Sequence, residues 1–250
     1  MIKIENVEVF GWEAAIRGMR NPFNSWNNSD SHYCCGPDWT HEGNGCERCE
    51  YHKGNVCGCN TITKNMVLGE NDLERMKTLI KAGSDHSKFM RMINVTVDIT
   101  APLYWWKEFD TYKVGTVRNS CSTMHKVTEK EFTLDDFSHE HLIVSSDDCL
   151  KLGEVVPKST LFVVIYALNF YRNCYLKAKK QKDEKLMKKY WWQIIQLLPS
   201  SYNQKATVQL NYAVLRNMYH SRKNHKLDEW SVGFCNWIET LPYAKELICI

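Results

Sequence analysis

The residue types with the clearest chemistry are six cysteines between positions 34 and 59. Cys46 and Cys49 form a CxxC pair, and Cys57 and Cys59 form a CxC pair shortly after it. Two close thiolate pairs can complete the tetrahedral shell of a structural zinc ion, which leaves no open coordination position. The alternative interpretation is an unmetallated loop. Other residues of the same segment could replace one of the four ligands, namely Cys34, Cys35, His41 and His52.

Polar residues also recur at helical spacing near the end of the chain, where a helix is predicted over 207–222. An asparagine, an arginine and a histidine would share one stripe of this helix with apolar residues. A guanidinium on such a stripe costs free energy unless an anion pairs with it. Arg222 is therefore predicted to bind either a carboxylate of the chain or the phosphate of a nucleotide. The stripe consists of Asn211, Leu215, Met218, Arg222 and His225.

One further cysteine is a candidate nucleophile. Cys121 lies between two serines in a polar stretch, and a thiolate there could attack a substrate. Most cysteines are buried and inert, which is the other interpretation. The sequence contains no GxSxG, GxGxxG or P-loop pattern, so no second catalytic system is predicted.

A histidine, His86, precedes the clearest strand pattern of the chain, and Ala101-Pro102 then opens a predicted helix that carries Lys107 and Glu108. This order resembles the flavin-dependent thymidylate synthases. In that family a Gly-His precedes an amphipathic strand, and an Ala-Pro-like turn leads into a helix that ends in Arg-His-Arg. The resemblance implies that His86 lies near a bound flavin.

The diagnostic motif of the family is replaced in this chain. The family has Arg-His-Arg, then two serines and an arginine at set offsets, and the motif contacts flavin and nucleotide. The resemblance implies that Tyr112 and Lys113 lie at the nucleotide, although lysine lacks the planar bidentate fork of arginine. Without gaps, the motif falls on Thr111, Tyr112, Lys113, Thr116, Cys121 and Thr123.

A second segment matches the family without a gap. After a Leu-Pro pair, here Leu198-Pro199, the family has two asparagines and an arginine at set offsets. Those offsets fall on Asn211, Asn217 and Arg222. The resemblance implies that the two asparagines lie near the flavin and that Arg222 holds the nucleotide.

Around these residues the sequence predicts alternating helices and strands. The alternation of apolar and polar residues over 93–99 predicts a half-buried strand. Asn71 is predicted to cap a helix that ends at Gly83. A loop is expected over most of 114–158. A strand is predicted over 2–10, and helices over 12–19, 72–82, 103–113, 161–182, 185–198 and 227–239.

The resemblance implies an α/β (α+β) fold with a central, mainly antiparallel sheet flanked by helices. The expected organisation is a single domain over 1–250 with an irregular Cys-rich insertion at about 24–65. Family members are homotetramers with active sites between subunits, so a homo-oligomer is expected.

Composition excludes several classes of function. With 32 basic and 29 acidic residues, the whole molecule is not predicted to bind nucleic acid or an anionic membrane. No apolar run is long enough for a transmembrane helix, and the first residues lack the pattern of a signal peptide. A cytoplasmic location is therefore expected.

The resemblance implies an enzyme, a methyltransferase that converts dUMP to dTMP. The implied cofactors are FAD, with NADPH as reductant and methylenetetrahydrofolate as the one-carbon donor. The alternative is a diverged nucleotide-binding or zinc-stapled module of the same fold without catalysis, which the replaced triplet favours.

Overall fold

The computed structural model describes residues 1–33, 52–53, 56–57, 66–143 and 157–250. It combines helices with an antiparallel sheet, which confirms the predicted fold class. The strands are β1 (Lys3–Phe10), β2 (His32–Tyr33), β3 (His52–Lys53), β4 (Val56–Cys57), β5 (Met66–Val67), β6 (Asn94–Pro102), β7 (Val117–Ser120) and β8 (Asn203–Asn211). The α-helices are α1 (Trp12–Arg20), α2 (Glu70–Lys81), α3 (Leu103–Phe109), α4 (Thr123–Lys126), α5 (Pro157–Lys180), α6 (Glu184–Leu197), α7 (Tyr212–Arg222), α8 (Cys235–Glu239) and α9 (Ala244–Leu247).

The chain divides into two compact units. The first unit consists of Met1–Val7, Thr96–Gln209 and Arg222–Trp237, and the second of Glu8–Val95, Leu210–Ser221 and Ile238–Ile250. The single-domain organisation stays a prediction. Within the described ranges, none of the helices is both long and apolar enough to cross a membrane.

The main sheet has four strands in the order β1-β6-β8-β7. β7 runs antiparallel to β8, with Val117 opposite Gln209 and Ser120 opposite Ala206. The expectation of a loop was therefore wrong for 117–120, because a four-residue strand with exposed positions carries little pattern of its own. Two short pairs, β2 with β5 and β3 with β4, form separate two-stranded sheets.

β6 confirms the predicted alternation, since its apolar side chains are fully buried at every second position over 93–101. One of its polar side chains, Asp98, accepts hydrogen bonds from Asn6 (2.9 Å) and Thr207 (2.6 Å). Lys205 adds an ion pair at 3.1 Å. The hydrogen bonds from Thr207, Asn6 and Lys205 lower the pKa of Asp98 to about 2.

The helix predicted over 207–222 is a helix only from Tyr212 onward. The residues before it form β8, in which Ala206, Val208 and Leu210 are buried while the positions between them are exposed. That spacing is the period of two of a strand, and pairing with β7 satisfies the backbone of 206–209. Asn211 therefore ends a strand and does not lie on the helical stripe that was predicted.

In the second unit, α2 begins at Glu70, one residue before the predicted cap. The N-cap residue is Gly69, and the capping carboxylate comes from Asp30, a residue distant in sequence, which accepts the backbone N–H groups of Asn71 (3.0 Å) and Asp72 (3.1 Å). Gly69 permits this approach, because a Cβ there would lie 2.0 Å from Asp30 Cγ. The predicted stop is confirmed at Gly83, whose φ of 111° suits glycine.

The second unit also contains a buried ion pair. Arg20 Nε lies 2.7 Å from Asp72 Oδ1, and the two side chains are 3% and 0% exposed. Ser29 and Ser31 donate to the second carboxylate oxygen, each at 2.6 Å. Burial raises the pKa of Asp72, but the hydrogen bonds from Ser29, Ser31 and Arg20 outweigh burial and leave the pKa below its ordinary value.

In the first unit, α5 and α6 form an antiparallel hairpin, and Asp183 caps α6 by accepting from Leu186 N (2.9 Å). The hairpin confirms two predicted helices. One face of it packs into an apolar cluster formed by Val127, Phe132, Phe137, Leu161, Ile165, Leu168 and Ile194.

Candidate functional site

The candidate site in the first unit is built on a group of aromatic rings. α3 buries Trp105 and Phe109, and a π-helical segment, Glu229–Phe234, supplies Trp230 and Phe234. Trp105 stacks on Trp230 with ring centroids 4.5 Å apart. Close stacking holds these rings in place, so the side chains at their edge have defined positions.

Arg222, the last residue of α7, lies at the edge of this group. Its Nε donates to the hydroxyl of Tyr112 at 2.9 Å, and its guanidinium carbon lies 5.4 Å from the Tyr112 ring and 5.0 Å from the Trp230 ring. Its Nη2 lies 2.9 Å from Glu108 Oε2. The guanidinium is therefore held by two aromatic faces, one hydroxyl and one carboxylate.

The burial of this ion pair is unequal. The Arg222 side chain is 14% exposed, whereas that of Glu108 is 44% exposed. Of the two predicted partners, the structure contains the carboxylate of the chain. A guanidinium has five N–H donors, and the contacts of Arg222 with the described residues engage only Nε and Nη2. The arrangement can accept a further anion at the remaining donors.

The three positions that replace the family triplet follow α3 directly. The Thr111 hydroxyl donates to the Glu108 carbonyl at 2.7 Å, which closes the end of the helix. The Tyr112 hydroxyl holds Arg222, and Lys113 is exposed to solvent. The structure thus brings Tyr112 and Arg222 into direct contact. The role of these residues and of Lys113 at a nucleotide stays a prediction.

The residues implied to lie near a flavin belong to the second unit. His86 is exposed in the turn after α2, where its backbone N–H donates to Gly83 at 3.1 Å. Asn211 is buried, and its Oδ1 accepts the backbone N–H of Val214 at 3.1 Å, which caps α7. Asn217 is exposed on α7. The Asn211 side chain therefore serves as a helix cap, while the side chains of His86 and Asn217 are exposed to solvent.

Cys121 is a free, exposed cysteine of the first unit. Its backbone N–H donates to Lys205 O (2.9 Å), and its carbonyl accepts from Gln204 Nε2 (2.7 Å). These bonds fix the backbone beside β8. They do not supply a base for the thiol, so a nucleophilic role stays a prediction.

The predicted zinc ligands lie outside the described residues, apart from the backbone of Cys57 in β4. Within the described parts of the chain, no group of three or more His, Cys, Asp or Glu side chains has the arrangement of a metal site.

A second polar cluster of the first unit was not predicted. Glu229 is 3% exposed and accepts a short hydrogen bond from the Tyr104 hydroxyl, which also lies 3.0 Å from Ser138 Oγ. Burial and the adjacent Glu229 raise the pKa of Tyr104 to about 12, so the tyrosine stays protonated and acts as a donor. No local spacing could reveal this cluster, because its members are far apart in sequence.

Comparisons with known proteins identify the class of fold. No protein-family model matches the sequence, and no curated protein matches it significantly. Solved structures do match along nearly their whole length, and the fold they share is that of the flavin-dependent thymidylate synthases.

Two such structures come from Helicobacter pylori. Thymidylate synthase X (ThyX) with FAD and dUMP is 12% identical, with coverage of 99% of this chain and 97% of that chain and a TM-score of 0.59. Flavin-dependent thymidylate synthase ThyX complexed with FAD and dUMP is 14% identical, with coverage of 98% of each chain and a TM-score of 0.56. At these identities the likeness shows a ThyX-like fold, which confirms the structural part of the resemblance.

Proposed function

We propose that this protein binds FAD and a pyrimidine nucleotide and catalyses the reductive methylation of dUMP to dTMP. Methylenetetrahydrofolate would supply the carbon and NADPH the reducing equivalents. The observation that carries the proposal is the end-to-end likeness of the fold to structures that contain FAD and dUMP.

Arg222 is the residue proposed to hold the phosphate of the nucleotide. It is a permanently charged group whose position is set by Tyr112 and Trp230, and a phosphate accepts two parallel hydrogen bonds from a guanidinium. Lys113 is proposed to add a second positive charge, because it directly follows Tyr112 and is exposed.

FAD is proposed to contact residues of the second unit. His86 and Asn217 have exposed side chains that can donate hydrogen bonds to it, whereas the Asn211 oxygen is already engaged. When bound, the reduced flavin supplies the hydride, so the chemistry does not require a protein nucleophile. The protein's share would be to bind and orient the two ligands, and Cys121 would be dispensable.

Flavin and nucleotide binding test the proposal directly. Added FAD should lose fluorescence on binding and should raise the melting temperature, and dUMP should raise it further. Formation of dTMP from dUMP, methylenetetrahydrofolate and NADPH then tests the activity. The proposal fails if saturating FAD produces neither quenching nor a thermal shift.

A specific observation supports a second candidate, a nucleotide-binding module without flavin chemistry. Two of the three residues that stand in place of the family's Arg-His-Arg triplet make hydrogen bonds within the chain. The Thr111 hydroxyl donates to the end of α3, and the Tyr112 hydroxyl accepts from Arg222. A protein of this kind would bind dUMP but not FAD and would form no dTMP, so the same measurements separate the two candidates.

We also infer that the protein is a homo-oligomer, proposed to be a tetramer like those of the family it resembles. α5 exposes four large apolar side chains within about three turns, and apolar patches of this kind mark interaction surfaces. Light scattering should report a mass above 29.3 kDa, and Tyr166→Glu should lower it. The patch consists of Phe162, Val163, Tyr166 and Phe170.

A further inference from the structure

Arg222 is paired with a carboxylate that belongs to the chain itself. We propose that Glu108 competes with the phosphate of the nucleotide for the Arg222 guanidinium and that binding displaces it. Glu108 would thereby set the affinity of the site for its anionic ligand. This inference rests on the proposed function, because Arg222 is the residue assigned there to the phosphate.

The position of the guanidinium does not depend on Glu108. Nε is fixed by the Tyr112 hydroxyl at 2.9 Å, and the guanidinium carbon lies about equally far from two rings, at 5.4 Å from Tyr112 and 5.0 Å from Trp230. Trp230 is itself fully buried and stacked on Trp105. The guanidinium would therefore stay in place if the carboxylate moved away.

Glu108 is free to move. Its side chain is 44% exposed, and a partly solvated ion pair is worth little to the folded state. It also lies in the last turn of α3, where the helix C-terminus disfavours negative charge. When the carboxylate moves into water, it leaves the unfavourable field of the helix C-terminus and becomes fully solvated.

The buried pair of the second unit shows what a permanent pair looks like in this protein. Asp72 is 0% exposed and accepts hydrogen bonds from Ser29 and Ser31 besides its pair with Arg20. Among the described residues, the Glu108 side chain has Arg222 as its ion-pair partner and no such second set of donors. The Arg20–Asp72 pair is built into the core, while the Arg222–Glu108 pair can be exchanged.

A phosphate has the properties needed to displace the carboxylate. A phosphate monoester carries a charge of about −1.5 to −2 at neutral pH and has three acceptor oxygens. It can also engage the guanidinium donors that the single contact between Glu108 Oε2 and Arg222 Nη2 leaves unused. If the carboxylate stayed beside the bound phosphate, the two like charges would repel each other at close range.

The test compares Glu108→Gln with a matched control. Glutamine keeps the size of the side chain and removes its charge. Glu13→Gln makes the same change of charge at another glutamate–arginine pair, Arg17–Glu13 at 3.3 Å, which is exposed. Titration calorimetry at fixed ionic strength with dUMP and with inorganic phosphate gives the dissociation constants, and thermal melts check that each variant is folded.

Glu108→Gln should bind dUMP about two- to fivefold more tightly than the wild type, which is the worth of a partly exposed ion pair, and Glu13→Gln should not differ from the wild type. Equal or weaker dUMP binding by Glu108→Gln would overturn the competition and leave the nucleotide function intact. If neither protein binds dUMP but Glu108→Gln gains affinity for phosphate, the competition holds and the nucleotide function fails. Absence of binding for both probes in both proteins would overturn both proposals.

Discussion

Replacing Arg222 by alanine separates a ligand-binding role from a role in the fold. The substitution removes a partly exposed ion pair, worth about 0.2–1 kcal/mol, and two contacts with aromatic faces, each worth about 0.5–1 kcal/mol. The expected loss of stability is therefore about 1–3 kcal/mol. In a chain of 250 residues a loss of this size lowers the melting temperature by about 2–12 °C.

Arg20→Ala is the matched control. Its partner Asp72 is 0% exposed, so the substitution leaves a buried carboxylate without its countercharge, which costs about 3–5 kcal/mol. Thermal melts of both variants in the same buffer should show the larger drop for Arg20→Ala.

Nucleotide binding gives the second half of the assay. The wild type should melt at a higher temperature with dUMP than without it, and Arg222→Ala should lose this shift. Arg20→Ala should keep the dUMP-induced rise in melting temperature, because the folded fraction of this variant still has an intact Arg222. A loss of about 3–5 kcal/mol for Arg222→Ala, together with no dUMP-induced shift in the wild type, would falsify the nucleotide site and make Arg222 a residue of the fold.

Other parts of the molecule give three more testable expectations. The folded-state pKa of Asp98, about 2, is below its ordinary value of 3.8, so the carboxylate stabilises the fold above about pH 4 and this contribution disappears as the pH falls toward 2. The difference in melting temperature between wild type and Asp98→Asn should shrink over the same interval. A difference that does not depend on pH would contradict this expectation. Gly69→Ala and Asp30→Ala should each lower the free energy of unfolding by about 0.5–2 kcal/mol, because each removes the cap of α2. The double variant should lose no more than the larger of the two single losses. Additive losses would show that the two residues act separately. The four predicted cysteine ligands should hold one zinc ion per chain, measured by metal analysis of protein purified without added zinc, and freely titratable thiols with no metal would refute the site.

Local sequence patterns were sufficient where an element carries its own periodicity. β6 was predicted because buried apolar residues alternate with polar ones through its whole length, and the end of α2 follows from Gly83. The same reasoning failed for 207–211, which was predicted to be helical, because a strand of mixed polarity followed without a break by a helix shows no boundary in the sequence. The boundary is set by pairing with β7, a contact between distant segments.

The candidate site divides in the same way. The sequence alone determined that Arg222 needs an anionic partner, since a guanidinium on a part-apolar stripe is costly without one, and the motif offsets brought Tyr112 into the same hypothesis. The partner itself, Glu108, was named only as part of a helix, and Trp230 was not assigned to the site. Asp30 as the cap of α2 and the Tyr104–Glu229 hydrogen bond were likewise not predicted.

What the sequence determined by itself were the periodic elements and the chemical needs of individual side chains, because both depend on residues within a few positions of one another. What only the tertiary structure decided was which distant groups meet those needs. Glu108 and Arg222, 114 positions apart in the numbering, are paired because the end of α3 and the end of α7 are brought together by the buried rings of Trp105 and Trp230. That choice is made by packing, which no local pattern encodes.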